Sequence, residues 1–185
     1  MRTIAHSLPL LALAIGCPTA DPVDPATALQ EFATFNADDL YSAIWAEVSV
    51  SHELWNPVEY TVIDGDFVLS GVGGSASEID VTYSLDLQEG ETFEGENVYA
   101  WTMELDYLGV QLPSCIVDGS GTWIVEHAYY DYNNIEHSWD GQLGLDDADP
   151  QQVSYEAFFS GNLHWLTGSI GDTEVDWEND NPDLP

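Results

Sequence analysis

In 185 residues the only Lys or Arg is Arg2, whereas Asp and Glu number 34, for a formal net charge of −33. Beyond the first few residues, no carboxylate can find a basic partner other than histidine. A buried and unpaired carboxylate costs several kcal/mol, so every one of these groups has to stay in water. Yet the chain is 44% hydrophobic and 12% aromatic, too apolar for a disordered acidic polymer. Only a fold that separates an oily face from an acidic one satisfies both demands. The same balance excludes nucleic acid as a partner, because phosphate contacts need Lys or Arg. It also removes Schiff-base chemistry and guanidinium recognition.

Most of the sequence meets that demand with a period of two. Ile79, Val81, Tyr83, Leu85 and Leu87 alternate with Asp80, Thr82, Ser84, Asp86 and Gln88. Tyr99, Trp101, Met103, Leu105 and Tyr107 alternate with Ala100, Thr102, Glu104 and Asp106. Strict alternation marks antiparallel strands with one face buried and one wet. Ile44, Ala46, Val48 and Val50 read the same way, and further strands are expected at 58–63, 67–72, 122–129, 135–145, 153–159 and 163–170. Asp64-Gly65 reads as a two-residue hairpin turn. Asp118-Gly119, Gly73-Gly74 and Ser160-Gly161-Asn162 read as further turns, and residues 89–97 as a longer acidic loop. Trp101, Trp123, Trp139 and Trp165 fall on four strands at core parity. Before the strands, Asp24 as N-cap and Pro25 in the first turn predict a short helix over residues 25–35. The fold class expected is all-β: an antiparallel β-sandwich or barrel of about 8–10 strands preceded by a short N-terminal helix.

The first residues read as an export signal, with Arg2 followed by a short apolar run over residues 8–15 that cannot span a bilayer. Ala14-Ile15-Gly16-Cys17 resembles the lipobox of bacterial lipoproteins, in which small residues precede a Cys that is lipidated and becomes the mature N-terminus. Ala14 stands where an aliphatic Leu is commoner. The resemblance covers residues 1–17 and implies a lipid attachment at Cys17 and a membrane anchor, not an activity. Residues 17–25 hold three prolines, Pro18, Pro22 and Pro25, and read as an extended tether; such a segment reaches about 3.1 Å per residue. The domain expectation is therefore a signal peptide at 1–16, lipidated Cys and tether at 17–25, an acidic all-β domain at 26–171, and an acidic tail or edge strand at 172–185. With Cys17 lipidated, Cys115 is left unpaired beside Ile116 and Val117 and reads as a small buried apolar residue.

Candidate chemistry is sparse. No Gly-x-Ser-x-Gly elbow occurs, and Gly71-Val72-Gly73-Gly74 lacks the Lys and helix of a phosphate loop. His127 and His137 fall on adjacent strands, and one register sets them opposite each other with Tyr129 opposite Ile135. Two facing imidazoles bind a divalent metal if a carboxylate or third His completes the shell. Asp146, Asp147 and Asp149, and the loop at 89–96, collect oxygen ligands without an EF-hand spacing, which suits weak binding of Ca2+ or another divalent cation. No catalytic residue or cofactor-binding motif emerges. The expectation is an envelope-anchored, non-enzymatic binding or structural β domain matched to saline or cation-rich surroundings, at the outer membrane or cell surface, for which the sequence names no protein or glycan partner. A β-barrel carrier of an apolar ligand and a carbohydrate-binding or carbohydrate-active domain are the alternatives.

Overall fold

The computed structural model describes residues 23–52, 62–88, 98–128, 131–146 and 148–179. Helix α1, Pro25–Phe35, starts where the sequence predicts. Asp24 Oδ2 accepts the Thr27 amide at 3.1 Å and the Thr27 hydroxyl at 2.7 Å, and Pro25 needs no acceptor for a missing N–H. These bonds lower the Asp24 carboxyl below its usual range. The chain then keeps coiling through a five-residue π segment, Asn36–Leu40, into helix α2, Tyr41–His52. The alternating reading of Ile44, Ala46, Val48 and Val50 is thereby corrected to helix. Leu40, Tyr41, Ile44 and Val48 are buried while Ala46 and Glu47 are exposed, a helical stripe that a two-residue period imitates over one turn.

The rest is antiparallel β, as expected. Strands β1 (Ile63–Ser70), β2 (Glu78–Gln88), β3 (Val98–Gln111), β4 (Ile116–Ala128), β5 (Asp131–Leu145), β6 (Gln151–Ser160), β7 (Leu163–Ile170) and β8 (Thr173–Glu178) form one sheet in sequence order. Every strand pairs with its neighbours in the chain, so each connection is a hairpin. β8 realises the edge strand expected near the C-terminus. Among the described residues no ladder joins β1 to β8, and α1 packs against β7 and β8 on that side. Rings on the helical segment reach much of the sheet's inner face. Phe32 meets Tyr107, Trp139 and Tyr155 edge-on, and Tyr41 meets Trp101 and Trp123, all with centroids between 5.2 and 6.2 Å apart. The sheet curls around its own N-terminal helix, and that helix is the second layer.

Of four turn expectations, two fail and two hold, for physical reasons. Asp64-Gly65 lies inside β1, where Gly65 pairs with Tyr83 and a Cβ would stand 2.6 Å from the phenol oxygen. Its glycine makes room for a ring rather than for a turn. Asp118-Gly119 lies inside β4, opposite a register shift in β3 between Tyr107 and Val110, and Asp118 Oδ1 accepts the Gly109 amide at 2.7 Å. The β3–β4 turn is at residues 112–115 instead. Gly73-Gly74 and Ser160-Gly161-Asn162 do sit in turns. The strand expected to begin at residue 58 and the acidic loop at 89–97 lie outside the described residues, wholly or in part. Trp165 is also corrected. A shift between Phe158 and Phe159 turns it to the outer face, where it is exposed.

One inner row reads Gly65, Tyr83, Met103, Trp123, Trp139, Tyr155, Gly168 across seven strands. Its large rings need small neighbours. At Gly121 a Cβ would stand 2.5 Å from the Asp140 carbonyl oxygen and 2.6 Å from Trp139 Cζ2. Backbone cannot yield as a side chain end can, so Gly121→Ala should cost about 2 kcal/mol, the range of an overpacked core. In thermal unfolding this should appear as a loss of about 4–8 °C in Tm; a variant melting with the wild type would show that the strands have slack here.

Candidate functional site

Among the described residues no carboxylate is buried. The outer face spaces its acids with hydroxyls. One row runs Asp66, Thr82, Glu104, Thr122, Asp140, Ser154, Ser169, Glu174 across all eight strands. Thr122 donates its hydroxyl to Glu104 at 2.8 Å, and Gln152 donates an amide hydrogen to Asp140 at 3.3 Å. Neutral donors take the role that Lys and Arg fill elsewhere, and they keep like charges from facing each other. The interleaving breaks at Asp80 opposite Asp106 and at Glu126 opposite Glu136. Near the second pair, Trp165, Ile124 and Glu156 border a shallow depression of about 300 Å³.

His127 and His137 both point to the inner face and are buried, but not opposite each other. Val125 pairs with His137 and His127 with Ile135, a register two residues from the one expected. Each imidazole serves the aromatic core. His127 Nε2 shares a hydrogen bond with the Tyr41 hydroxyl. His137 Nδ1 accepts the Trp123 indole N–H at 3.1 Å, so in the neutral ring the proton sits on Nε2. Among the described residues that Nε2 has no hydrogen-bond partner. Among the described residues no three His, Cys, Asp or Glu side chains converge as a metal site. Of the proposed oxygen cluster, Asp146 instead ties the β5–β6 connection, its Oδ1 accepting the Ile116 amide at 2.8 Å; Asp149 is exposed, and Asp147 lies outside the described residues.

The polar centre of the core was not anticipated. Asn36, on the π segment and fully buried, donates to the Tyr155 oxygen at 3.1 Å and accepts from the Tyr107 hydroxyl at 2.9 Å. Tyr155 in turn lies 3.4 Å from His137 Nδ1. Burial pushes the Tyr41, Tyr107 and Tyr155 hydroxyls above their usual range, so all stay protonated donors. An Asn amid Phe32, Phe35, Ala37 and Leu40 is a polar break in an apolar stretch, the one sequence signal that could have found it. Cys115 is buried and burial raises its thiol, which opposes thiolate chemistry. Cys17 lies outside the described residues.

A larger groove, about 460 Å³ and open to solvent, runs beside α1. Gln30, Glu31 and Thr34 line it from α1, Asp39 from the π segment, Leu112 and Pro113 from the β3–β4 turn, and Trp177 from β8. Glu31 is held in place, its Oε2 accepting the Ser114 amide at 2.9 Å and the Ser114 hydroxyl at 2.6 Å. Carboxylates, side-chain amides and an indole are binding groups. No protein-family model, curated protein or solved structure matches the chain. No helix among the described residues is long and apolar enough to cross a membrane.

His137 couples this core to pH. Burial lowers its pKa from 6.5 to about 3, so between those values the unfolded chain binds a proton that the folded chain refuses. Its contribution to stability is therefore complete above pH 6.5 and is lost as pH falls towards 3. Between pH 7 and pH 4 the loss should be on the order of 3 kcal/mol. Denaturant unfolding at both pH values should show His137→Gln losing that much less than the wild type. Equal losses in the two proteins would mean that His137 meets water in the folded state.

Proposed function

We propose that this chain is an exported bacterial lipoprotein, anchored through Cys17 and a proline-rich tether. On this reading its folded body is a non-enzymatic binding or structural domain matched to a saline or cation-rich exterior. The observation that carries the reading is the division of the sheet into an inner face closed by the chain's own helix and an outer face of carboxylates spaced by hydroxyls. An interior filled by Phe32, Leu40, Tyr41 and Ile44 speaks for a solid scaffold over a carrier of an apolar ligand. The absence of any cationic residue after Arg2 leaves repulsion among the carboxylates to be screened by the medium. Two unit charges about 8 Å apart in water repel by roughly 0.5 kcal/mol before screening, and dissolved ions weaken such terms beyond about 8 Å at physiological strength. Lipid supplies the anchorage that the acidic body cannot, since anionic headgroups repel it.

The melting temperature should rise by at least about 4 °C, or 1–2 kcal/mol for a domain of this size, from low to molar NaCl, and CaCl2 should act at lower concentration. A flat response to both salts would defeat the adaptation. Intact-mass measurement of the exported protein tests the anchor separately: the expected species begins at Cys17 and carries acyl chains, and an unlipidated Cys17 bonded to Cys115 would overturn it.

A further inference from the structure

The groove beside α1 has the layout of a site for one kind of ligand. Glu31 and Asp39 place carboxylates along one of its walls, and Phe35, Leu112, Pro113, Leu163 and Trp177 give it an apolar lining. Eight helical residues advance roughly 12 Å, and in an unbroken α-helix the second carboxylate would stand about 80° around the axis from the first. The π segment, bonded i to i+5, winds more slowly, and both residues line the same groove. Single π turns are held by specific contacts, here Asn36 with Tyr155 and Tyr107, and they recur at functional sites. Among the described residues Glu31 is preset by Ser114 through Oε2, which leaves Oε1 for a ligand.

We propose that this groove binds a linear polyamine. One ammonium group sits on Glu31 Oε1 and another on Asp39, with the methylenes between them over the apolar lining and Trp177 able to take an ammonium on its ring face. Carboxylates separated by two helical turns do not suit a compact hard cation, which needs several oxygens converging at 2.3–2.6 Å. A neutral sugar would gain nothing from the field of 34 carboxylates, whereas a polycation is concentrated by it. No Lys or Arg of the described residues competes for either carboxylate. The inference rests on the groove and not on the anchor or the salt response, so it stands or falls apart from them.

Titration calorimetry of the full chain with spermidine, in enough NaCl to suppress diffuse counterion binding, tests it. One saturable site is expected, weakened about tenfold by Asp39→Asn and by Glu31→Gln. The double variant Asp66→Asn, Glu174→Gln, which removes two charges from the outer face, should leave that site unchanged. Asp39 is exposed, so its variant keeps the fold even if losing the Glu31–Ser114 bonds disturbs the β3–β4 turn. Equal weakening by the outer-face variant would show diffuse charge binding and overturn the proposal. So would an Asp39→Asn protein that binds as the wild type does, or cellobiose binding where spermidine does not.

Discussion

Everything in this molecule follows from carboxylates that have no basic partner. In most domains an acid near the surface can be half-buried against Lys or Arg. Here that option is closed, and the described acids stay on the wet side of the sheet, on the helical segment or in turns, none of them buried. Threonine, serine and glutamine stand between many of them and donate hydrogen bonds where cations would otherwise sit. Such bonds do not cancel charge, but they hold each carboxylate in a defined place and lengthen the distance to the next one.

Because no acid can help to fill the interior, the inner face is built from aromatic rings, and rings of that size set their own conditions. A belt of Tyr83, Trp123, Trp139 and Tyr155 requires glycine where strands run close beneath it, at Gly65, Gly121 and Gly168. It also carries polar atoms indoors, since phenols and indoles bring hydrogen-bonding groups with them. Asn36 answers two of those phenols, and His137 accepts one indole. The π segment is where the helix yields so that Asn36 can face inward while Asp38 and Asp39 remain exposed. One local irregularity thus joins the core network to the groove outside it.

Much of the fold was legible in the residues. The alternation of β2 and β3, the helix start at Asp24 and Pro25, the turns at Gly73-Gly74 and Gly161, and the edge strand near the C-terminus all follow from local chemistry. Misreadings cluster where a local signal had two meanings. Gly65 and Gly119 look like turn residues, yet one clears space for Tyr83 and the other lies beside a register shift. Residues 44–50 alternate by coincidence and are helical because a face of the sheet waits to be covered. Trp165 has core parity until a bulge reverses it. Of the candidate site, the two histidines were legible on neighbouring strands, but their offset was decided by the register of β4 on β5, which pairs His127 with Ile135 and Val125 with His137. The groove was not legible at all, since α1, a turn and the last strand meet there from distant parts of the chain.

Composition and periodicity by themselves determined that acids stay outside, that antiparallel strands supply most of the body, and that a helix begins at Pro25. These depend on solvation and on side chains near in sequence. Only the tertiary structure decided that the eight strands form one sheet, that a longer helix fills it, and that Glu31 and Asp39 come to line a common groove. Those outcomes depend on which surfaces must be covered once the chain is compact, a condition that no single segment carries.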